Sequence, residues 1–336
     1  MKKIFILLTC LCCGVTMQIP CMAQTTIIGF YNCENYYDTL HQLHTLDQDY
    51  LPNSDRKYTQ VVYQNKSSHL AQVIAAIGKI DGGKGIALMG LAEVENKQVL
   101  IQLINDPHIK KYHYQFIHLD SKDPRGIDVA LIYNPSEFLP YQYQPFSLSD
   151  ANHFVQNATR DILYIKGKLA NQWVHILVNH WPSRRGPRSS EDKRIWASRI
   201  CKKIIDSVQL IDPGAQIIVM GDFNDNPSNK SIKMLKMNNP FLKLFQNGMG
   251  SIAYGDSWNL FDQILLSTNW GQANKQTFVL TNYKPAIYTN SEMIESIGRY
   301  RGYPKRTYNG NEFRGGYSDH FPVALIFTLK KGGNTQ

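Results

Sequence analysis

The chain has 336 residues, 43% of them hydrophobic and 19% charged. That is enough apolar material for one large core or two modest ones, and it excludes a disordered chain. A formal charge of +9 favours anionic partners such as nucleic acid or phosphorylated surfaces.

The N-terminus reads as a processing signal. Lys2 and Lys3 precede an apolar run over residues 4–15, and Cys21-Met22-Ala23 supplies small residues ahead of Gln24. The run falls short of the roughly 20 residues a membrane span needs. Gln18-Ile19-Pro20 is the wrong chemistry for lipidation of Cys21. Residues 1–23 are therefore expected to be a signal peptide cleaved near Ala23, exporting the chain to the periplasm or beyond without stable membrane insertion. The remainder carries 34 basic and 27 acidic residues, a formal +7, and keeps only Cys33 and Cys201. Both stand in apolar patterns where a buried thiol is the common state, and no disulfide framework or zinc-type spacing is present.

Residues 25–31 form a β-rich first strand ending at Asn32-Cys33-Glu34-Asn35. A polar, irregular excursion over 38–64 follows. Leu70, Val73, Ile74 and Ile77 then recur at helical spacing until Asp81-Gly82-Gly83 stops the helix. The strand over 86–91 delivers Ala92-Glu93-Val94-Glu95-Asn96, and a short helix over 97–105 closes at Asp106-Pro107. Strands are expected over 112–119 and 128–133, and a hairpin over 162–169 and 173–178 that ends in Asn179-His180-Trp181-Pro182. Ser189, Glu191 and Asp192 open a helix carrying Trp196, Ile200, Ile204 and Val208.

Ile217-Ile218-Val219-Met220 reads as a buried central strand running into Gly221-Asp222-Phe223-Asn224. A short helix from Ser228 ends at Asn238-Asn239-Pro240. Strands are expected over 260–267, near whose start Asp262 stands, and over 321–329, directly after Asp319-His320. Residues 281–316, rich in Tyr, Gly and Arg, read as loop. No repeat or linker divides the chain, so a single mixed α/β domain over 25–331 is expected.

Each strand end presents polar chemistry: Asn32, Glu93, His180, Asp222 with Asn224, Asp262, and Asp319 with His320. Any one of these is ordinary turn chemistry. As a set, acids, amides and two histidines without an activated Ser or Cys suit hydrolysis at a metal-bound phosphate.

In this order FYNCEN, LAEVEN, VNHW, GDFN, FDQILLS and YSDH resemble the signature of the endonuclease/exonuclease/phosphatase superfamily, the DNase I-like fold, from Asn32 to His320. The resemblance implies a four-layer sandwich of two packed mixed β-sheets flanked by helices. It also implies Mg²⁺, with Mn²⁺ or Ca²⁺ as substitutes, and cleavage of phosphoesters by water. Position by position, Glu93, Asn32 and Asp319 match residues at the metal, whose preference for hard oxygen agrees with these types. Asp222 matches the residue that deprotonates water, and Asn224 the one that steadies it. His320 matches a donor to the phosphate, Asp262 the acid that fixes its tautomer, and His180 a second phosphate-stabilising histidine.

Three features depart from the pattern. Cys33 replaces a plainer apolar residue. Arg125-Gly126-Ile127-Asp128-Val129-Ala130 stands where repair nucleases carry a Tyr-containing stretch, and His180 stands at a position that is Asn-like in that branch. With export, these point away from DNA repair and toward secreted nucleases, sphingomyelinases and inositol-phosphate phosphatases.

The expected activity is that of an exported Mg²⁺-dependent nuclease acting on DNA or RNA, as a monomer without a protein partner. The alternatives are a phospholipid or sugar-phosphate hydrolase and a non-catalytic binder of phosphorylated ligands. A sphingomyelinase-like member is expected to expose an apolar hairpin, and the sequence offers no such run. Arg160, Arg184, Arg185 and Arg188 are candidate phosphate contacts or a solvated basic surface. Tyr300, Tyr303, Tyr308 and Tyr317 alternate with cations as a base-stacking track would, or pack on their own loop. His41, His44, His69, His108, His113, His118, His153 and His175 have no assignable partner and read as surface or core residues.

Overall fold

A computed structural model describes residues 25–149, 159–184, 189–271, 280 and 282–328. The expected signal peptide and Arg185 and Arg188 lie outside them. The first half runs β1 (Thr25–Tyr36), α1 (Gln60–Ile77), β2 (Leu88–Val94), α2 (Lys97–Ile104), β3 (Gln115–His118), β4 (Asp128–Tyr133), β5 (Phe138–Phe146), β6 (Ile162–Leu169) and β7 (Gln172–His180). The second half adds α3 (Ser189–Ile211), β8 (Gln216–Asp222), α4 (Lys230–Met234), α5 (Leu242–Gln246), β9 (Ile252–Tyr254) and β10 (Ser257–Asn259). It closes with β11 (Asp262–Leu266), β12 (Asn282–Ile287), β13 (Tyr308–Asn309), β14 (Glu312–Phe313) and β15 (Val323–Thr328).

Two mixed sheets dominate, ordered β12-β15-β1-β2-β4-β3 and β11-β8-β7-β6-β5. The strand period of two sorts their side chains between layers. On β8, Ile218 and Met220 enter the core between the sheets, while Ile217 and Val219 face the opposite layer with Ala197, Cys201 and Ile205 of α3. On β1, Ile28 and Phe30 join that inter-sheet core, while Ile27 and Tyr31 pack with Leu70, Ile74 and Ile77 of α1. Helices therefore cover both outer faces, and the molecule is the expected sandwich of two packed sheets flanked by helices. Each fully buried Ile or Leu contributes about 1.5–3 kcal/mol of transfer energy, so the three apolar layers hold the sheets in one register.

That register brings the polar strand ends together. β7 and β8 run parallel with His180 opposite Asp222, and β8 meets β11 antiparallel with Asp222 opposite Asp262. β1 and β2 run parallel with Asn32 opposite Ala92, beyond which the register shifts and Tyr36 comes to lie opposite Val94. Asn96 caps α2 by accepting from the Gln98 and Val99 amides at 2.8 and 3.1 Å, which fixes the turn after Glu93.

Several elements differ from the sequence reading. The strand expected over 112–119 is confined to β3, because Lys110–Tyr112 forms a 3-10 turn. The loop over 38–64 ends earlier, at the start of α1, and buries Asp47 and Tyr58. Residues 281–316 include β12, and β5 was not anticipated. Both are edge strands, each carrying proline (Pro285; Pro140 and Pro145), which an edge tolerates but a central ladder does not. β5 also exposes Leu139, Tyr141 and Tyr143 beside Trp173, an apolar row that sequence reading did not see.

Candidate active site

The motif at the end of β8 needs its glycine: a Cβ on Gly221 would lie 2.4 Å from the Asn179 carbonyl oxygen of β7. Asp222, buried at the next position, accepts from the Asn224 amide at 2.9 Å and from Asn32 Nδ2 at 3.0 Å. Asn224 donates through Nδ2 to the Trp181 carbonyl at 3.0 Å. Next to Asp222, His320 Nδ1 lies 2.7 Å from Asp262 Oδ2, which also accepts from Ser251 Oγ at 2.6 Å. His320 Nε2 is left 3.8 Å from both Asp222 and Asp319. His180 Nε2 stands 3.7 Å from Asp222 and 3.8 Å from Glu93.

The other half comes from the first sheet. Glu93 accepts from the Asn35 amide at 2.8 Å through Oε2, while Oε1 faces Arg125 at 4.0 Å and His180 at 3.8 Å. Asn32 Oδ1 accepts from the Glu34 amide at 2.9 Å, and Ser318 Oγ donates to the Asn32 carbonyl at 2.7 Å, tying β1 to the segment before His320. Glu34 is a site residue that sequence reading passed over, although FYNCEN displays it two positions after Asn32. Its carboxylate accepts from the Thr307 amide at 2.8 Å and faces Lys66 Nζ at 3.6 Å. Lys66 is fully buried and donates to Thr307 Oγ1 at 2.6 Å and to the Tyr317 carbonyl at 2.8 Å. Arg306 binds the Asp319 carboxylate and approaches Glu34 at 3.9 Å. Glu34, Asn35, Glu93 and Asn224 all have φ between 50° and 61°, left-handed backbone that costs about 1–3 kcal/mol at a non-glycine residue and clusters where function demands it.

Electrostatics separates the two histidines. Burial drives the His180 imidazole well below its ordinary value, helped by Arg160, Arg125 and His320. Burial also acts downward on His320, yet Asp262, Asp222 and Asp319 overcome it and hold His320 well above the ordinary range. Asp222 moves upward through burial and the Asp262 charge, against the pull of His320. Glu34 moves upward through burial and Asp319. Asp319 ends below its usual value because His320 and Arg306 outweigh its burial.

Glu34, Glu93, Asp222, Asn224, Asp319, His180 and His320 line one cleft of about 1210 Å³. Glu34, Glu93 and Asp319 each present a carboxylate to this cleft, with the Asn32 amide oxygen bonded beside Glu34, and such oxygen donors are of the type a divalent cation takes. The expected substrate arginines are less free than their sequence suggests. Arg160 is buried, donating to Asp123 at 2.9 Å and to the Trp181 carbonyl at 3.0 Å. Arg184 stacks on Phe261 and donates to the Asn224 carbonyl, Asp225 and Asn229. The tyrosine track is largely consumed by packing: Tyr317 stacks on His69, Tyr308 packs on Phe313, and Tyr303 bonds Asp256. Of the four, Tyr300 alone is exposed.

Residues 27–331 match the endonuclease/exonuclease/phosphatase family. The chain belongs to that family. No curated protein matches it in sequence. Among solved structures, truncated TDP2 of Caenorhabditis elegans superposes with a TM-score of 0.55 at 13% identity, covering 91% of this chain and 98% of that one. The human Nocturnin catalytic domain with bound sulfate gives 0.53 at 14% identity, covering 91% and 95%. A mannosyl-6-phosphatase of Bacteroides thetaiotaomicron gives 0.53 at 13% identity, covering 89% and 98%. At these identities the likeness carries the fold, and the family makes this chain a phosphoester hydrolase by membership. Family enzymes typically depend on a divalent metal, in keeping with the acidic cleft. Among the described residues no helix is long and apolar enough to cross a membrane.

Proposed function

We propose that this family member is an exported, Mg²⁺-dependent phosphodiesterase, a nuclease cleaving DNA or RNA. The observation that carries the reading is that the carboxylates of Glu34, Glu93 and Asp319 line the same cleft as Asp222 and His320, with Asp262 buried behind His320. Glu93, Asp319, Glu34 and the Asn32 oxygen would hold the cation. When bound, it supplies Lewis-acid polarisation of the phosphoryl oxygen. Asp222, oriented by Asn32 and Asn224, takes the proton of the attacking water. His320, kept protonated and oriented by Asp262, donates from Nε2 to a phosphate oxygen as charge grows there. His180, kept neutral, offers a hydrogen bond to the same phosphate, and Asn224 steadies the water. The positive net charge favours a polyanionic substrate. The leader at residues 1–23 supports export.

A phosphomonoesterase acting on a sugar or inositol phosphate is the second reading. It is favoured by the packing of Tyr308 and Tyr317 into the protein, which removes half of the stacking track a nuclease would use. Purified mature protein assayed on plasmid DNA, RNA, sphingomyelin and inositol phosphates, with and without chelator, separates them. Chelator-sensitive cleavage of nucleic acid supports the first reading, and phosphate release from the monoesters alone replaces it with the second.

A further inference from the structure

Outside the cleft, His118, Asp120 and Asp128 form a second cluster, with one ligand atom from each within 4.8 Å of the others. The strand geometry explains the meeting. His118 lies opposite Ala130 at the end of the antiparallel β3–β4 pair, and the chain continuing past it brings Asp120 close to His118 and to Asp128 at the start of β4. The His118 side chain is fully buried, yet neither ring nitrogen makes a hydrogen bond. A buried imidazole with no bond is costly, because water has been removed and nothing replaces it.

The carboxylates are near without bonding in the usual way. Asp128 Oδ2 stands 3.2 Å from Nε2, and Asp120 Oδ1 stands 3.8 Å from Nδ1. Two ligand atoms about 2.1 Å from a tetrahedral ion lie about 3.4 Å apart, so Nε2 and Asp128 are spaced as neighbours around a cation. The Ser121 amide donates to Asp128 Oδ1 at 2.8 Å, orienting that carboxylate and leaving Oδ2 for the ion. Asp120 is exposed, and its carboxylate is free to swing onto a bound ion and close the set.

We propose that His118, Asp120 and Asp128 form a second cation site, for a first-row divalent ion such as Zn²⁺, with water completing the coordination. One imidazole and two carboxylates suit such an ion better than Mg²⁺, which prefers oxygen alone. The site would pin the 119–127 loop. That loop carries Asp123, the partner of Arg160, and Arg125, which lines the cleft, so the ion would brace the cleft wall from outside.

The test is calorimetric titration of chelator-stripped mature protein with Zn²⁺. Wild type and Glu93→Gln should both take up the equivalent assigned to His118. Asp120→Asn, a surface change that leaves the fold intact, should lose it or bind it about 10-fold more weakly or worse, since even outer-shell partners are worth about 10- to 100-fold. His118→Gln should lose it as well. Superimposable isotherms for wild type and Asp120→Asn would overturn the site. Loss of all binding in Glu93→Gln would overturn it too, by moving every Zn²⁺ ion to the cleft. The outcome is independent of whether the cleft hydrolyses phosphoesters.

Discussion

Two buried histidines in this protein, His320 and His118, each have an aspartate near both ring nitrogens, and they are held in opposite ways. His320 has Asp262 at 2.7 Å in a hydrogen bond, with Asp222 at 3.8 Å on the other nitrogen. His118 has Asp128 at 3.2 Å and Asp120 at 3.8 Å, and bonds to neither. A histidine whose tautomer is fixed by one bonded acid is arranged to give a proton from the other nitrogen. A buried neutral imidazole with neither nitrogen bonded still holds one lone pair that a cation can take. The same two residue types thus stand in two arrangements, separated by a few tenths of an ångström and by whether the histidine is hydrogen-bonded.

The largest effect should come from removing the proton-handling members of the first arrangement. Asp222→Ala and His320→Ala should each lower kcat by about 10²- to 10⁴-fold, the range for a lost general acid or base. Rates equal to wild type would remove both roles. Asp262→Asn should act more weakly, by about 10²-fold on kcat, because it disturbs the orientation of His320 and leaves the ring in place. An unchanged kcat would mean the 2.7 Å contact has no catalytic consequence.

Next in size is a structural effect. Lys66→Met removes the buried cation that holds Glu34, Thr307 and Tyr317, and breaking a buried pair on one side costs about 3–5 kcal/mol. Chemical denaturation should register that loss, and an unaltered midpoint would show that Glu34 does not need Lys66. The smallest effect belongs to a third histidine. His175 is buried against Tyr164 at 2.7 Å, and burial with the nearby Lys166 charge lowers it to about 4 from its ordinary 6.5. Between those values the unfolded chain binds more protons than the folded one. His175 therefore destabilises the fold progressively as pH falls from 6.5 toward 4, and not above it. The stability gap between wild type and His175→Gln should shift in favour of the variant across that window, and a gap constant with pH would refute the linkage.

The active-site arrangement was legible in sequence because its residues end buried central strands. Ile217-Ile218-Val219-Met220 announces such a strand, and Asp222 must then stand at its mouth. Glu34 stands two positions after Asn32 in the same motif, but its role depends on Lys66 and Thr307, which arrive from distant parts of the chain. The two edge strands were lost for one physical reason: Pro140, Pro145 and Pro285 signal loop to any reading that assumes a full hydrogen-bond ladder, and an edge does not need one. Arg160 and Arg184 looked like free cations because a sequence does not show that Asp123, Asp225 and backbone carbonyls already occupy them. The His118 cluster was hidden for a related reason. A histidine within an apolar strand reads as core, and its acids arrive from across a turn.

The central claim is that acids and an amide from the first sheet, with Asp319 beside His320, hold a divalent cation against the proton-transfer residues beside them. Its most direct test is the initial rate of phosphoester hydrolysis as a function of free Mg²⁺, for wild type and Glu93→Ala. Wild type should show saturable activation that chelator abolishes, and Glu93→Ala should need about 10-fold more Mg²⁺ or beyond to reach half its maximum. Hydrolysis indifferent to chelator, or identical Mg²⁺ curves for the two proteins, would contradict the claim.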